Sequence, residues 1–422
     1  MWRFIAALAL LSYFPVAGAA SAEPSGPLTL RAAIAAALAG NPELAAARYE
    51  LAGAGARVDQ AQLRINPQLA LDLEDFAGSG MLSGTQSLQT TLSLSQVIEL
   101  GDKRGRRSNV ARAELEAADA DLRARQLDVL AAVTQRFIDV VAAQQDQLLA
   151  QRAAEQSRAA LTAIETRVQA ARSPEAELRR ARVAALRAGG EVQRAAARLA
   201  EARQSLATLW GSTQPLFPNA EAELFDFPPP ADYARLQQNL RTNPNALRFV
   251  AEQRLRAAQL QLAQVQSRPN LNLSFGVRNH QDSDSNALVA GISLPLSLYD
   301  HGGAATRNAE AQQMQSLARQ QAALLAAETT LYGLHQQMLV ARDTALMLRD
   351  QALPEAEQAL TQTVYGYERG RFSYTELAAA HRELLELQSA AIEAAADAHR
   401  LLAEIERLSG APATANAGSN SP

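Results

Sequence analysis

The sequence predicts a mainly α-helical fold with a membrane β component: long coiled-coil hairpins forming an α-barrel, plus four strands per copy. Three observations carry this prediction. Two stretches, Asp102 to Ala171 and Gly303 to about Gly370, keep a helical pattern well beyond ordinary helix lengths. Four short segments switch to a period of two. Hydrophobic residues make up 48% of the chain but aromatics only 5%, so the apolar positions are mostly Ala and Leu. Such residues suit close helix packing better than a bulky two-layer core.

The first long helix has no Pro between Asp102 and Ala171, and no Gly after Gly105. Val133, Phe137, Val140 and Leu148 recur at three- and four-residue steps or their multiples. About 70 residues at roughly 1.5 Å each give a rod near 105 Å, which must lie against other helices. The chain reverses at Arg172-Ser173-Pro174, and a return arm runs from Glu175 to Trp210, with Trp210-Gly211 as a helix stop. That arm covers only half the rod, so a second short helix must stack on its end.

The preceding chain supplies it. Thr29 is the expected N-cap of a helix running to about Arg64 with a break near Asn41-Pro42. After Asn66-Pro67, Leu69, Leu71 and Leu73 alternate with Ala70, Asp72 and Glu74; past a Gly/Ser turn, Leu88 to Ser95 alternate in the same way. A Pro-rich, acidic linker follows, and the scheme then repeats. Asn243-Pro244 interrupts a helix from Asp232 to about Gln266, and Leu271 to Val277 form a strand. A polar turn, Asn279 to Asn286, leads to a strand expected to run from Leu288 to Leu298. In the second long helix Leu317, Leu324, Leu331, Met338 and Ala345 are spaced by seven. Pro354 should kink it, and it should turn at Gly370-Arg371-Phe372-Ser373. The expected divisions are a signal peptide over 1–22, a first repeat over 23–211, a linker over 212–231, a second repeat over 232–409 and a disordered tail over 410–422.

The termini and composition narrow the setting. Arg3, the apolar run Phe4 to Val16 and Ala20-Ser21-Ala22 read as a cleaved secretory signal, so the mature chain is expected outside the cytoplasm. The chain has no cysteine, which excludes disulfides, thiolate metal sites and a lipidated N-terminal Cys. A net charge of −4 with both signs interspersed offers no basic face for nucleic acid.

The strands decide the architecture. One face of each is apolar and the other carries Gln, Asn, Ser, Thr, Asp and Glu, as in a tilted membrane crossing with a wet lumen. Four strands cannot close a barrel, and open edges in lipid are forbidden. Three copies would supply a 12-stranded trimeric β-barrel, an even number in the observed range. Asp72 and Glu74 would then line the pore.

These stretches resemble the TolC family of outer-membrane efflux ducts over essentially all of Pro27 to Leu408. The resemblance is carried by Leu28-Thr29-Leu30, Asn41-Pro42 and Asn66-Pro67. It is carried further by Leu92 through Arg104, Leu206-Ala207-Thr208-Leu209-Trp210-Gly211 and Tyr367-Glu368-Arg369-Gly370-Arg371-Phe372-Ser373. The run ending in Glu99-Leu100-Gly101-Asp102-Lys103-Arg104 is most similar to ducts of cobalt–zinc–cadmium-type heavy-metal efflux systems. The resemblance implies a homotrimeric channel-tunnel in the outer membrane of a Gram-negative bacterium, with its helices in the periplasm. It would contact outer-membrane lipid, dock on a periplasmic adaptor (membrane fusion protein) and work with an inner-membrane pump of the resistance–nodulation–division class. The turns at Arg172, Ser173 and Pro174 and at Gly370, Arg371, Phe372 and Ser373 match the family's adaptor-contact tips, with Tyr367 beside them. Glu376 matches a gate acid just past the second turn and Glu177 is its equivalent in the first repeat, whereas Ala379 stands where a second acid is often found. Glu376 and Glu177 around a three-fold axis would form a cation-attracting ring with raised, coupled pKa values.

No nucleophile elbow, phosphate loop or His/Asp/Ser constellation is present, and the five histidines show no ligand pairing. An enzyme, a metal site and a cofactor are therefore not expected. Two other readings stay open: a duct for drugs or secreted proteins, and, from a different class, a periplasmic coiled-coil adaptor or structural protein.

Overall fold

The computed structural model describes residues 23–410; the predicted signal sequence and nearly all of the predicted tail lie outside the described residues. Helices α1 (Leu30–Gly40) and α2 (Pro42–Gln62) lead to strands β1 (Gln68–Glu74) and β2 (Gln89–Ile98), then α3 (Lys103–Gln169) and α4 (Glu175–Ala207). The remaining elements are α5 (Tyr233–Leu240), α6 (Pro244–Gln266), β3 (Leu271–His280), β4 (Ser285–Ser293), α7 (Gly303–Met347), α8 (Leu353–Glu368) and α9 (Tyr374–Ser409). The chain forms two compact units. One gathers the chain up to Pro42 with Val129–Pro228 and Val340–Arg400; the other gathers Glu43–Asp128, Pro229–Leu339 and the chain from Leu401. Among the described residues no helix is long and apolar enough to cross a membrane.

Local chemistry sets the helix ends. Thr29 Oγ1 accepts from the Ala32 amide at 3.3 Å and starts α1. In the first unit the Asn41 side-chain amide donates to the Leu209 carbonyl at 2.9 Å, so the start of α2 meets the end of the return arm. In the second unit Asn243 does more. Its Oδ1 accepts from the Asn245 amide at 2.8 Å, and its Nδ2 donates to the Arg407 and Leu408 carbonyls at 2.8 and 2.5 Å. One asparagine thus caps the start of α6 and satisfies orphan carbonyls at the end of α9.

The sheet lies wholly in the second unit, in the antiparallel order β1-β2-β3-β4. Register aligns Leu71, Leu92, Val277 and Leu288 on one face, and Asp72, Thr91, Arg278 and Ala287 on the other. Pairing runs further into the second hairpin than expected, since His280 faces Ser285 and only 281–284 remain as the turn. The opposite end of β4 is shorter than expected. It stops at Ser293 rather than Leu298, where Pro295 has no N–H to offer the ladder.

The seams are mostly as read, with two corrections. Val133, Phe137 and Val140 are fully buried on α3, but Leu148 is 46% exposed, and Ala150 and Ala154 take the inward positions instead. On α7, Leu331, Met338 and Ala345 are buried, whereas Leu317 is 39% exposed and Ser316 and Ala309 face in. The seam drifts around a helix whose turn does not divide seven evenly. Just before Pro354, where a kink is expected, the helix carries a single π-turn, Leu348–Ala352, between α7 and α8. Proline removes one N–H and would press its ring on the carbonyl four residues back, and a wider turn relieves both.

The linker between α4 and α5 is fastened within each unit. In the first, Gln144 makes two hydrogen bonds to the Ala220 backbone at 3.0 and 2.7 Å. Leu28 pairs with Asn219 and Glu221. His399 bonds the Leu224 carbonyl at 3.0 Å and stacks on Phe227. In the second, His335 reaches the Ala231 carbonyl at 3.3 Å.

Candidate functional site

The predicted tip residues sit on two helical turns, both in the first unit. The first closes α3: the Ala171 amide donates to Val168 O at 2.9 Å and the Arg172 amide to Arg167 O at 2.8 Å, with Ala171 at φ 52°. The second closes α8: Gly370 donates to Tyr367 O at 3.0 Å and Arg371 to Gly366 O at 2.8 Å, with Gly370 at φ 74°. These are the same paired terminal hydrogen bonds around one left-handed residue. A glycine holds that position in the second turn and an alanine in the first.

The two turns share an apolar cluster. Ile164, Ala181, Tyr374 and Leu377 are buried together, with Leu178, Leu360, Val364 and Tyr367 packed on them. Full burial of one such aliphatic side chain contributes roughly 1.5–3 kcal/mol. Polar contacts tie the turns further: Arg180 donates to Thr375 Oγ1 at 2.8 Å, and the Arg167 guanidinium lies 4.7 Å above the Tyr367 ring. Arg172, Pro174, Arg371 and Phe372 stay on the surface, and Ser173 is half-buried. The Phe372 ring nevertheless covers Gly366, where even a methyl group would overlap it.

The two candidate gate acids stand in different surroundings. Glu376 is exposed and closes a capping box: its Oε2 accepts from the Ser373 amide at 2.7 Å and hydroxyl at 2.9 Å, while its own amide donates to Ser373 Oγ at 3.3 Å. Those bonds hold its carboxyl below the usual range. In the single chain the shift is therefore downward, because hydrogen bonds to the carboxylate favour its charged form; the raised values are expected of the ring that three copies would form. Ser373-Tyr374-Thr375-Glu376 was a readable signal for this cap. Glu177 is half-buried. Burial raises the phenol pKa values of Tyr367 and Tyr374, and the charge of Glu177 adds to both shifts.

Asp72 and Glu74 share the polar face of the sheet in the second unit. The sequence reading missed their neighbour Arg278, which pairs with Glu74 at 3.3 Å and also donates to Thr91 Oγ1 at 2.9 Å and Gln89 Oε1 at 3.2 Å. Arg278 falls in phase with Asp72 across the ladder, but that alignment depends on pairing β2 with β3. Two glycine-hinged elbows join strand to long helix. At the first, Gly101 and Asp102 are both left-handed, and buried Lys103 donates to Arg268 O at 2.5 Å and Asn270 Oδ1 at 2.9 Å. At the second, Gly302 donates to Asp300 Oδ1 at 2.8 Å. Among the described residues no group of three or more His, Asp or Glu side chains is placed to hold a metal ion.

Comparison with known proteins gives this arrangement its setting. Residues 33–212 match the outer membrane efflux protein family. The cobalt-zinc-cadmium resistance protein CzcC of Cupriavidus metallidurans is 30% identical over 392 residues, which cover 92% of this chain and 91% of that protein. The nickel and cobalt resistance protein CnrC of the same organism is 27% identical over 302 residues, 68% of this chain and 67% of that protein. Among solved structures, the outer-membrane channel OprN superposes with a TM-score of 0.74 at 20% identity, covering 91% of this chain and 90% of its own. A mostly helical chain with one four-stranded antiparallel sheet, matching CzcC across nearly its whole length, belongs to the outer membrane efflux protein family.

Proposed function

We propose that three copies of this chain close one 12-stranded β-barrel in the outer membrane and, with their helices, form the passive exit duct of a tripartite efflux system. The observation that carries this reading is the sheet. It presents an exposed apolar face, including Leu69, Leu71, Phe275, Leu288 and Ile292, and leaves β1 and β4 as its two outer edges. Lipid offers no partner for edge N–H and C=O groups, so such a sheet is completed only by further strands. Each copy is a duplication, 23–211 and 232–409, joined by the linker 212–231. The protein is exported by a cleaved signal over 1–22 and is not lipidated.

The cargo is a heavy-metal cation. Support comes from the similarity to two proteins named for resistance to cobalt, zinc and cadmium and to nickel and cobalt. Asp72 and Glu74 line the pore, with Arg278 balancing part of their charge. Glu177 and Glu376 form the periplasmic gate, and the two turns contact a membrane-fusion adaptor coupled to an inner-membrane pump. Energy comes from that pump. Deleting the gene should sensitise the host to zinc, cobalt or cadmium while leaving antibiotic tolerance unchanged. The reverse pattern would move the assignment to drug efflux. A single-chain species in detergent, with no heat-modifiable trimer in the outer-membrane fraction, would remove the barrel.

A further inference from the structure

A cavity of about 530 Å³ opens in the second unit where the end of α2 passes the start of α3, just before β1. Its walls carry three guanidinium groups, Arg57, Arg64 and Arg107, against one carboxylate, Glu114, and include Leu63 and Ile65. Arg107 is held by Glu99 at 2.6 Å and Arg57 reaches Glu114 at 3.5 Å. Arg64 is exposed and has no ion pair or hydrogen bond among the described residues. Leu63 and Ile65 are 57% and 39% exposed beside these charges.

Strand register places this cavity at one particular end of the sheet. Gln68, Ile98, Leu271 and Ser293 all lie there. The chain leaving that end carries exposed Leu296, Leu298 and a Tyr299 that is 98% exposed, the amphipathic type of residue that collects at a membrane–water interface. The other end carries Glu74, Asp75, Asp282 and Asp284. Arg57, Arg64 and Arg107 thus meet exposed apolar side chains at the helical end, while at the hairpin end Arg278 pairs with one of the acids, Glu74.

We infer that the cavity is a headgroup site for an anionic phospholipid of the periplasmic leaflet, its acyl chains lying on the apolar face that begins at Leu69. This rests on the barrel reading above. A phosphodiester accepts paired N–H bonds from guanidinium groups, and Leu63 and Ile65 add apolar surface to the cavity wall beside them.

The full-length protein in detergent is titrated with phosphatidylglycerol and, separately, with phosphatidylethanolamine, and lipid-bound species are counted by native mass spectrometry. Phosphatidylglycerol should be retained preferentially. The double variant Arg57→Gln/Arg64→Gln should weaken that retention about 25-fold, taking roughly fivefold for each charge, with phosphatidylethanolamine unchanged. Glu114→Gln should strengthen it, an opposite sign that general loosening of the fold would not produce. Equal phosphatidylglycerol retention by wild type and double variant overturns the site. Equal occupancy by glycerol 3-phosphate, which has no acyl chains, overturns the lipid in favour of a free anion. A wild-type protein that does not insert into phosphatidylglycerol vesicles overturns the barrel reading as well; one that inserts but shows no headgroup preference overturns this inference alone.

Discussion

The two helical turns use one backbone device and fix it by different means. In the first, Ala171 occupies the left-handed position and Pro174 starts the next helix without any side-chain cap. In the second, Gly370 takes that position without steric cost, Phe372 folds back over Gly366, and Ser373 with Glu376 forms a capping box. Matching acids therefore do different work in the single chain. Glu376 is engaged in holding its own helix start, whereas Glu177 is half-buried near Tyr367 and the buried Tyr374. The second turn is built to stay closed on itself, and the first depends more on its neighbour.

Four measurements would break or sharpen that contrast. The largest effect is expected from Gly366→Ala, which displaces the Phe372 ring; overpacking of this kind costs about 1–3 kcal/mol, read as faster hydrogen exchange confined to the second turn. An unchanged exchange rate would show that the ring contributes nothing. Next, Gly370→Ala and Ala171→Gly should shift local stability in opposite directions by about 1 kcal/mol each, since only non-glycine residues resist positive φ. Shifts of the same sign would remove the backbone part of the comparison. Ser373→Ala should cost about 1 kcal/mol by loss of the cap, while Ser173→Ala stays within about 0.5 kcal/mol. The smallest effect concerns pH. The carboxyl of Glu376 is depressed in the folded chain, so its contribution is present at neutral pH and fades as pH falls through that lowered value. Ser373→Ala should flatten this acid limb, which NMR titration of the Glu376 carboxyl would detect as a rise toward the ordinary value.

Much of this was legible because it is local. Apolar spacing located the long helices, period-two alternation assigned the strand faces, and Asn-Pro pairs marked the breaks between short helices. What escaped was set by partners far along the chain or by chemistry weighed too lightly. Arg278 joins Glu74 only once β2 pairs with β3. The exposure of Leu148 and Leu317 follows from which neighbours cover each stretch of helix. Pro295 was visible, yet the alternation of Leu294, Leu296 and Leu298 masked its power to end a strand. At the candidate gate, the carboxyl of Glu376 could be placed on a first turn from sequence, but the depth of Glu177 beside Tyr367 and Tyr374 could not.

The wide turn before Pro354 has an effect on counting. Leu331, Met338 and Ala345 step by seven, and the next step would fall on Ala352; the series that continues is Leu353, Leu360 and Tyr367, one place later. The surplus residue in that loop of helix acts as a skip. Without it, Leu360 and Tyr367 would be turned by roughly 100° relative to Ala345, away from the partners they meet in the apolar cluster at the turns. A proline thus stands where the seven-residue beat slips by one place.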